Sequence, residues 1–335
     1  MGAGPVVAVD GRGSFIVVWM ELDGGDPQHL DVYAQRFSAA GPKLGEPFRV
    51  NTTTAGDQLY PKIAADRAGN FVVIWQGGYA PSYPRPIPGG DGSGTGIFLQ
   101  RFAADGRRLG GELRVNAEPE GDQVYPQVAM APDGRFAVAW IDLRTLDRVS
   151  VRAFAAGGRP SGRQILLEPG TGRDAGRDAQ SPLLAMAADG NLLVGWTETY
   201  EYHCPEYQCV DFFPYVQLLA PDGQPLGRRR LLDKDRTAIL QGLLAAAGHG
   251  DFLALLQQDG AARVVGQRIA TSGQTVGSRL RLAYCPSGNC LRFAAIAMDP
   301  AGRLIVISEE GNPILGSTSL SGQLFSPKGT ALGAP

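Results

Sequence analysis

The chain has 335 residues, with 31 Lys and Arg against 33 Asp and Glu for a net charge of −2, and with 44% hydrophobic against 19% charged residues. That balance is ordinary for a globular protein and lacks the basic excess with which proteins usually hold RNA, DNA or an acidic membrane surface. No apolar run approaches the roughly 20 residues of a transmembrane helix, and Met1-Gly2-Ala3-Gly4-Pro5 lacks the charged and apolar regions of an export signal.

In chain order, short apolar segments alternate with turns rich in Gly (46 residues) and Pro (24 residues). The first group runs Pro5-Val6-Val7-Ala8, Phe15-Ile16-Val17-Val18-Trp19, Gln35-Arg36-Phe37 and Phe48-Arg49-Val50-Asn51. The second repeats it with a fuller opening: Gly56-Asp57-Gln58-Leu59-Tyr60-Pro61, then Phe71-Val72-Val73-Ile74-Trp75, Gln100-Arg101-Phe102 and Leu113-Arg114-Val115-Asn116. The third restarts at once with Gly121-Asp122-Gln123-Val124-Tyr125-Pro126 and reaches Trp140. All four tryptophans, Trp19, Trp75, Trp140 and Trp196, occupy one slot, and two degenerate copies place Leu256 and Ser308 there. Six units follow, over about 5–51, 57–116, 122–167, 178–232, 238–282 and 291–335.

Each unit holds four apolar segments separated by Asp-Gly or Gly-rich turns, with no 3.6-residue period long enough for a helix. The unit is therefore a four-stranded antiparallel meander. Its second segment is apolar at every position, whereas a sheet with one wet face alternates. Both faces must be covered, and sheets packed radially against one another achieve that. The pattern predicts an all-β fold, a six-bladed β-propeller of four-stranded antiparallel blades. A seven-bladed ring with a missing or donated portion is the alternative, and a solenoid or a two-sheet sandwich would not repeat in this way. The sixth copy stops where others continue into a fourth strand, so the ring is expected to lack one outer strand, either through trimming of the native protein or because a partner donates it.

The pattern G-D-Q-x-Y-P, G-x-F-V-V-x-W, D-G-S-G-x-G-I, Q-R-F, D-G, L-G and F-x-V-N resembles a repeat of large exported bacterial surface and haemolysin-type calcium-repeat proteins. Copies one and two match it over nearly their full length, including Asp91-Gly92-Ser93-Gly94-Thr95-Gly96-Ile97, and copies five and six only in their strand pattern. The resemblance implies an extracellular propeller engaged in surface binding or assembly. It brings no catalytic residue with it.

Two cysteine pairs, Cys204 with Cys209 and Cys285 with Cys290, both read C-P-x-x-x-C. Local disulfides in an oxidising compartment fit this spacing better than a four-thiolate zinc site, which usually has two-residue spacers. An extracellular, cell-surface or periplasmic location follows as the expectation.

Short uniform turns are expected on one face of the propeller and variable loops on the other, and loops that vary on a fixed scaffold commonly carry binding. Aromatic residues gather in those loops, and Tyr79, Tyr83, Tyr200, Tyr202 and Tyr207, with Tyr60 and Tyr125 near the channel mouth, are the candidate contacts for a saccharide or a protein partner. Packing of the same rings onto the blade tops is the competing reading. Glu21, Asp142, Glu198 and Glu309 stand just past the Trp slot, where converging carboxylates would hold a cation such as calcium. No other cofactor is expected. The three histidines are scattered, and no H-E-x-x-H, G-x-S-x-G or phosphate loop occurs. The sequence therefore predicts a non-enzymatic secreted or surface binding module. Its alternatives are a structural subunit of an extracellular assembly and a glycoside-active hydrolase or lyase using a carboxylate pair such as Glu21 and Glu198.

Overall fold

A computed structural model of the chain describes residues 4–23, 26–79, 90–144, 148–167, 178–203, 208–245, 251–258, 263–284, 292–299, 302–312, 317–328 and 330–333. Among them every regular element is a strand, and the strands form six four-stranded antiparallel meanders in chain order.

Blade one comprises β1 (Val6–Val9), β2 (Phe15–Asp23), β3 (Asp26–Phe37) and β4 (Phe48–Arg49), and blade two comprises β5 (Asp57–Ala65), β6 (Phe71–Tyr79), β7 (Gly96–Phe102) and β8 (Leu113–Arg114). Blade three follows with β9 (Gln123–Met130), β10 (Phe136–Asp142), β11 (Arg148–Phe154) and β12 (Ile165–Leu166). Blade four holds β13 (Asp178–Met186), β14 (Leu192–His203), β15 (Gln208–Leu219) and β16 (Arg230–Leu231). Blade five holds β17 (Ile239–Ala245), β18 (Phe252–Gln258), β19 (Arg263–Ile269) and β20 (Thr275–Tyr284). Blade six closes the chain with β21 (Arg292–Met298), β22 (Leu304–Asn312), β23 (Ser317–Phe325) and β24 (Ala331–Leu332). The fold is the expected six-bladed β-propeller. Its chain divides into two compact units, 1–182 with 222–224, and 183–221 with 225–335.

The second strands show why the repeat makes blades. Phe71 to Trp75 and Phe136 to Trp140 are all at most 1% exposed. Alternate residues of β6 serve opposite neighbours: Phe71, Val73 and Trp75 pack with Ile16, Val18 and Val32 of blade one, while Val72 and Ile74 pack with Phe136, Val138 and Trp140 of blade three. A strand's side chains point to opposite faces in turn, so a strand wedged between two sheets must be apolar throughout. The second unit repeats the arrangement, with Leu193 and Val216 against Phe252, Ala254 and Leu256, and Leu253 and Leu255 against Leu304 and Val306.

Polar residues of the repeat tie blades to their neighbours. Asp57 Oδ1 accepts the Leu30 N–H of blade one at 2.9 Å, and Asp122 Oδ1 accepts the Thr95 N–H of blade two at 3.0 Å. Arg108 donates to the Val50 and Arg49 carbonyls, Arg152 to that of Val115, and Arg279 to that of Leu232. The arginines thereby satisfy carbonyls at the ends of outer strands, and the aspartates satisfy N–H groups near the start of the third strands.

Blade six corrects one expectation. Ala331 and Leu332 pair with Phe325 and Leu324, so β24 supplies the outer strand that was expected to be trimmed away or donated by a partner. The outer strands of blades one to four are equally short, which hid this one in the sequence.

Candidate functional site

The first strands β1, β5 and β9 run beside one another, and β5 and β9 share one irregularity. The pairing register slips where Tyr-Pro falls, between Leu59 and Lys62 on β5 and between Val124 and Gln127 on β9. Proline has no N–H for the ladder, and a bulge is the usual way to seat it in a strand. Tyr60 and Tyr125 take the bulge with φ of +52° and +55°. Left-handed backbone costs a non-glycine residue about 1–3 kcal/mol and persists only where the surroundings impose it. Here the Tyr125 N–H donates to Gln76 Oε1 at 3.4 Å, Gln58 accepts the Trp75 indole N–H at 2.8 Å, and Gln123 donates to the Glu120 and Gly121 carbonyls. The bulge brings the two rings together, with centroids 5.5 Å apart and planes at 59°, and Tyr125 is 46% exposed.

A second pair lies at the head of β5. His29 Nδ1 stands 3.8 Å from Asp57 Oδ1, beyond hydrogen-bond length and within ion-pair range, with both side chains about one-fifth exposed. The sequence reading treated the histidines as scattered and missed this pair. The signal available was a departure from the repeat: Leu30 aligns with Thr95 through their shared bond to the next aspartate, so His29 stands where blade two has Gly94. Lys62 lies half-buried two residues beyond Tyr60, has no ion-pair partner among the described residues, and burial pushes its ammonium below the usual lysine range.

The other predicted site residues are dispersed or employed elsewhere. Glu21 and Glu198 accept the indole N–H of Trp19 and Trp196 at 2.9 and 3.0 Å, and Glu198 also receives Arg229 at 2.7 Å. Asp142 receives both arms of Arg144, at 2.8 and 2.7 Å. These three carboxylates are thus taken up within their own blades, and no group of three or more His, Cys, Asp or Glu among the described residues is placed to hold a metal ion. The Asp91 loop is likewise closed on itself: Oδ1 accepts the Ser93 and Gly94 N–H groups, and Oδ2 accepts Asn116 Nδ2 at 2.6 Å.

Tyr200 and Tyr202 form a stacked pair on β14, with centroids 5.9 Å apart and 42% and 40% exposure, while Phe213 and Tyr215 across the hairpin are buried. Cys209, opposite Tyr202 in the register, is disulfide-bonded. Tyr83, Tyr207, Cys204, Cys285 and Cys290, and the side chains of Tyr79 and Glu309, lie outside the described residues.

No protein-family model and no curated protein matches this sequence. Solved structures do resemble the fold. An α-L-arabinofuranosidase of Fusarium graminearum, solved with an iminosugar inhibitor, aligns over 97% of this chain and 93% of its own at 11% identity and a TM-score of 0.57. A Penicillium chrysogenum α-L-arabinanase complexed with arabinobiose aligns over 97% and 94% at 14% identity, also with a TM-score of 0.57. An ulvan lyase bound to a glucuronate–sulfated rhamnose disaccharide aligns over 99% and 84% at 11% identity and a TM-score of 0.54. At these identities the likeness is one of fold. It corrects the expectation of a non-enzyme, which rested on the absence of a sequence motif: the structures that share this fold over nearly the whole chain are enzymes. Among the described residues no helix is long and apolar enough to cross a membrane.

Proposed function

We propose that this protein is a glycoside-active propeller that seats a saccharide against the Tyr60–Tyr125 pair and moves protons there with His29 and Asp57. The strained tyrosine pair carries the reading. Two blades each hold an aromatic residue in a costly backbone conformation, and strain of this kind gathers at functional sites. Tilted rings with one face in water offer sugar C–H groups an apolar surface and sugar hydroxyls a phenol to bond. Asp57 lies only three residues before Tyr60 on β5, about 10 Å at the rise of an extended strand. His29 within ion-pair range of a carboxylate has the makings of a general acid–base. The disulfide at Cys209 and the exported-repeat resemblance support an extracellular or periplasmic site of action.

The test is turnover of a panel of neutral and uronate-containing polysaccharides. New reducing ends report hydrolysis, and unsaturated ends absorbing in the ultraviolet report elimination. Asp57→Ala and Asp122→Ala remove the same clasp to a neighbouring blade, but only the first also removes the partner of His29. Activity is expected to fall about 10²–10⁴-fold in His29→Ala and substantially in Asp57→Ala, with Asp122→Ala near wild type. Silence of the folded wild type across the panel, or equal losses in the two aspartate variants, would sink the proposal.

A further inference from the structure

A cleft of about 170 Å³ opens between the outer parts of blades four and five, within the second unit. One residue lining it departs from the pattern of blades one and two. In blades one and two the residue after the third-strand glutamine is Arg36 or Arg101, which crosses to the next blade and donates to the turn carbonyl of Asp105 or Ala156. Those guanidiniums cover the turn glycines so closely that a Cβ on Gly106 or Gly158 would meet them at 2.8 or 2.5 Å. Blade four has Leu218 after Gln217 in that place, and a Cβ on Gly273 of the blade-five turn would meet nothing nearer than Leu218 at 3.6 Å. Leu218 lines the cleft in place of that crossing arginine.

What lines it is unusual for a protein of net charge −2. Arg228, Arg229 and Arg230 stand along one wall and the Ser272–Gln274 turn along the other, and no acidic residue lines the space. Arg229 is engaged by Glu198 and lies over the Tyr215 ring, and Arg230 reaches Gly273 O and Gln274. Arg228 is exposed and has no partner among the described residues. Leu193, Val216 and Leu218 lie beneath it and are at most 4% exposed, so the surface offered to a ligand is mainly polar. An uncommitted guanidinium lining the same cleft as a serine hydroxyl suits a carboxylate or sulfate.

We infer that this cleft is a binding site for an acidic sugar residue, one bearing a carboxylate or a sulfate. The inference rests on the saccharide reading above for its ligand class, but on different residues. The experiment measures binding of a uronate-containing oligosaccharide, a sulfated oligosaccharide and their neutral counterpart to wild type, Arg228→Ala, Leu218→Arg and the Tyr60→Ala/Tyr125→Ala double variant, with folding followed by melting temperature. Wild type should bind an acidic oligosaccharide more tightly than the neutral one, and the sugar that gains names the group. Arg228→Ala should lose that gain by about tenfold or more, the cost of one charge-assisted contact. Leu218→Arg fills the cleft with the side chain used in blades one and two, so it should abolish the acidic preference while adding positive charge. Tighter binding by Leu218→Arg would reveal mere charge attraction and overturn the site, as would equal competition from an acidic peptide or an acidic preference unchanged in Arg228→Ala. Loss of neutral binding in the tyrosine variant, with the acidic preference intact, would separate the two sites. Acidic preference without any tyrosine effect would sink the earlier reading and leave this one standing.

Discussion

The joint between blades two and three and the joint between blades four and five use one apolar plan with different polar fittings. In the first, Val72 and Ile74 meet Val138 and Trp140, Asp122 clasps Thr95, and Arg101 crosses to the turn carbonyl of Ala156. In the second, Leu193 and Val216 meet Ala254 and Leu256, the Leu240 N–H is taken by the Thr197 hydroxyl at 3.0 Å, and Leu218 stands where the crossing arginine was. Apolar packing tolerates such exchange because it asks only for volume and pattern. A buried N–H is less forgiving of absence but indifferent to who satisfies it: the Thr197 hydroxyl does for Leu240 what the Gln76 amide oxygen does for Tyr125. The crossing arginine of the third strand gives way to Leu218, Arg230 of the outer strand reaches the blade-five turn instead, and a cleft remains beside it.

The largest effect should come from emptying the shared slot. Trp75 and Leu256 occupy the same place in their blades, both fully buried. Trp75→Ala should cost about 3–5 kcal/mol and Leu256→Ala about 2–5 kcal/mol in denaturant unfolding, since each leaves a cavity walled by two sheets. Trp75 carries an added loss, because its removal frees Gln58 Oε1 in a buried setting. If Trp75→Ala proved no worse than a surface change, within about 0.5 kcal/mol, the apolar plan would not be what joins these blades.

The sequence displays this plan openly because every wedged strand must be apolar at consecutive positions, as Phe136 to Trp140 are. It could not display the outer strand Ala331–Leu332, since two residues of strand carry no period. The site was legible only in fragments. Tyr60 and Tyr125 stand out as repeated residues, yet their meeting depends on a backbone angle that nothing in G-D-Q-x-Y-P announces. His29 and Asp57 are 28 positions apart in different blades, and only the fold brings them together. Conversely Glu21, Asp142 and Glu198 share a sequence position but not a purpose: indole or arginine partners in their own blades decide where each points.

A middling effect would sharpen the contrast between structural and functional uses of the repeat. Tyr125 is nearly half exposed, so its ring contributes little burial, while its φ of +55° is one that glycine adopts without penalty. Tyr125→Gly is therefore expected to leave stability unchanged or raise it by up to about 1 kcal/mol, while weakening saccharide binding. A marked loss of stability would mean that the ring is a structural prop and that the strain serves packing alone.

The smallest effect concerns Lys62, and its sign follows from burial. Desolvation lowers the folded-state pKa of this ammonium below its value in the unfolded chain. At neutral pH both states are protonated, and the folded state bears the full cost of a half-buried charge. As pH rises through the lowered folded value, the native protein gives up its proton first, so stability gains with pH until the unfolded lysine has also titrated. Lys62→Met removes the charge while keeping an unbranched stem in the same space. It should raise the melting temperature at neutral pH, and the advantage over wild type should shrink as pH climbs through the lysine range. An advantage that held constant with pH would mean that better packing, and not relief from a buried charge, was the cause. A variant less stable than wild type at neutral pH would mean that the ammonium is held favourably in the folded protein, and Lys62 would then belong among the polar groups that serve the tyrosine pair.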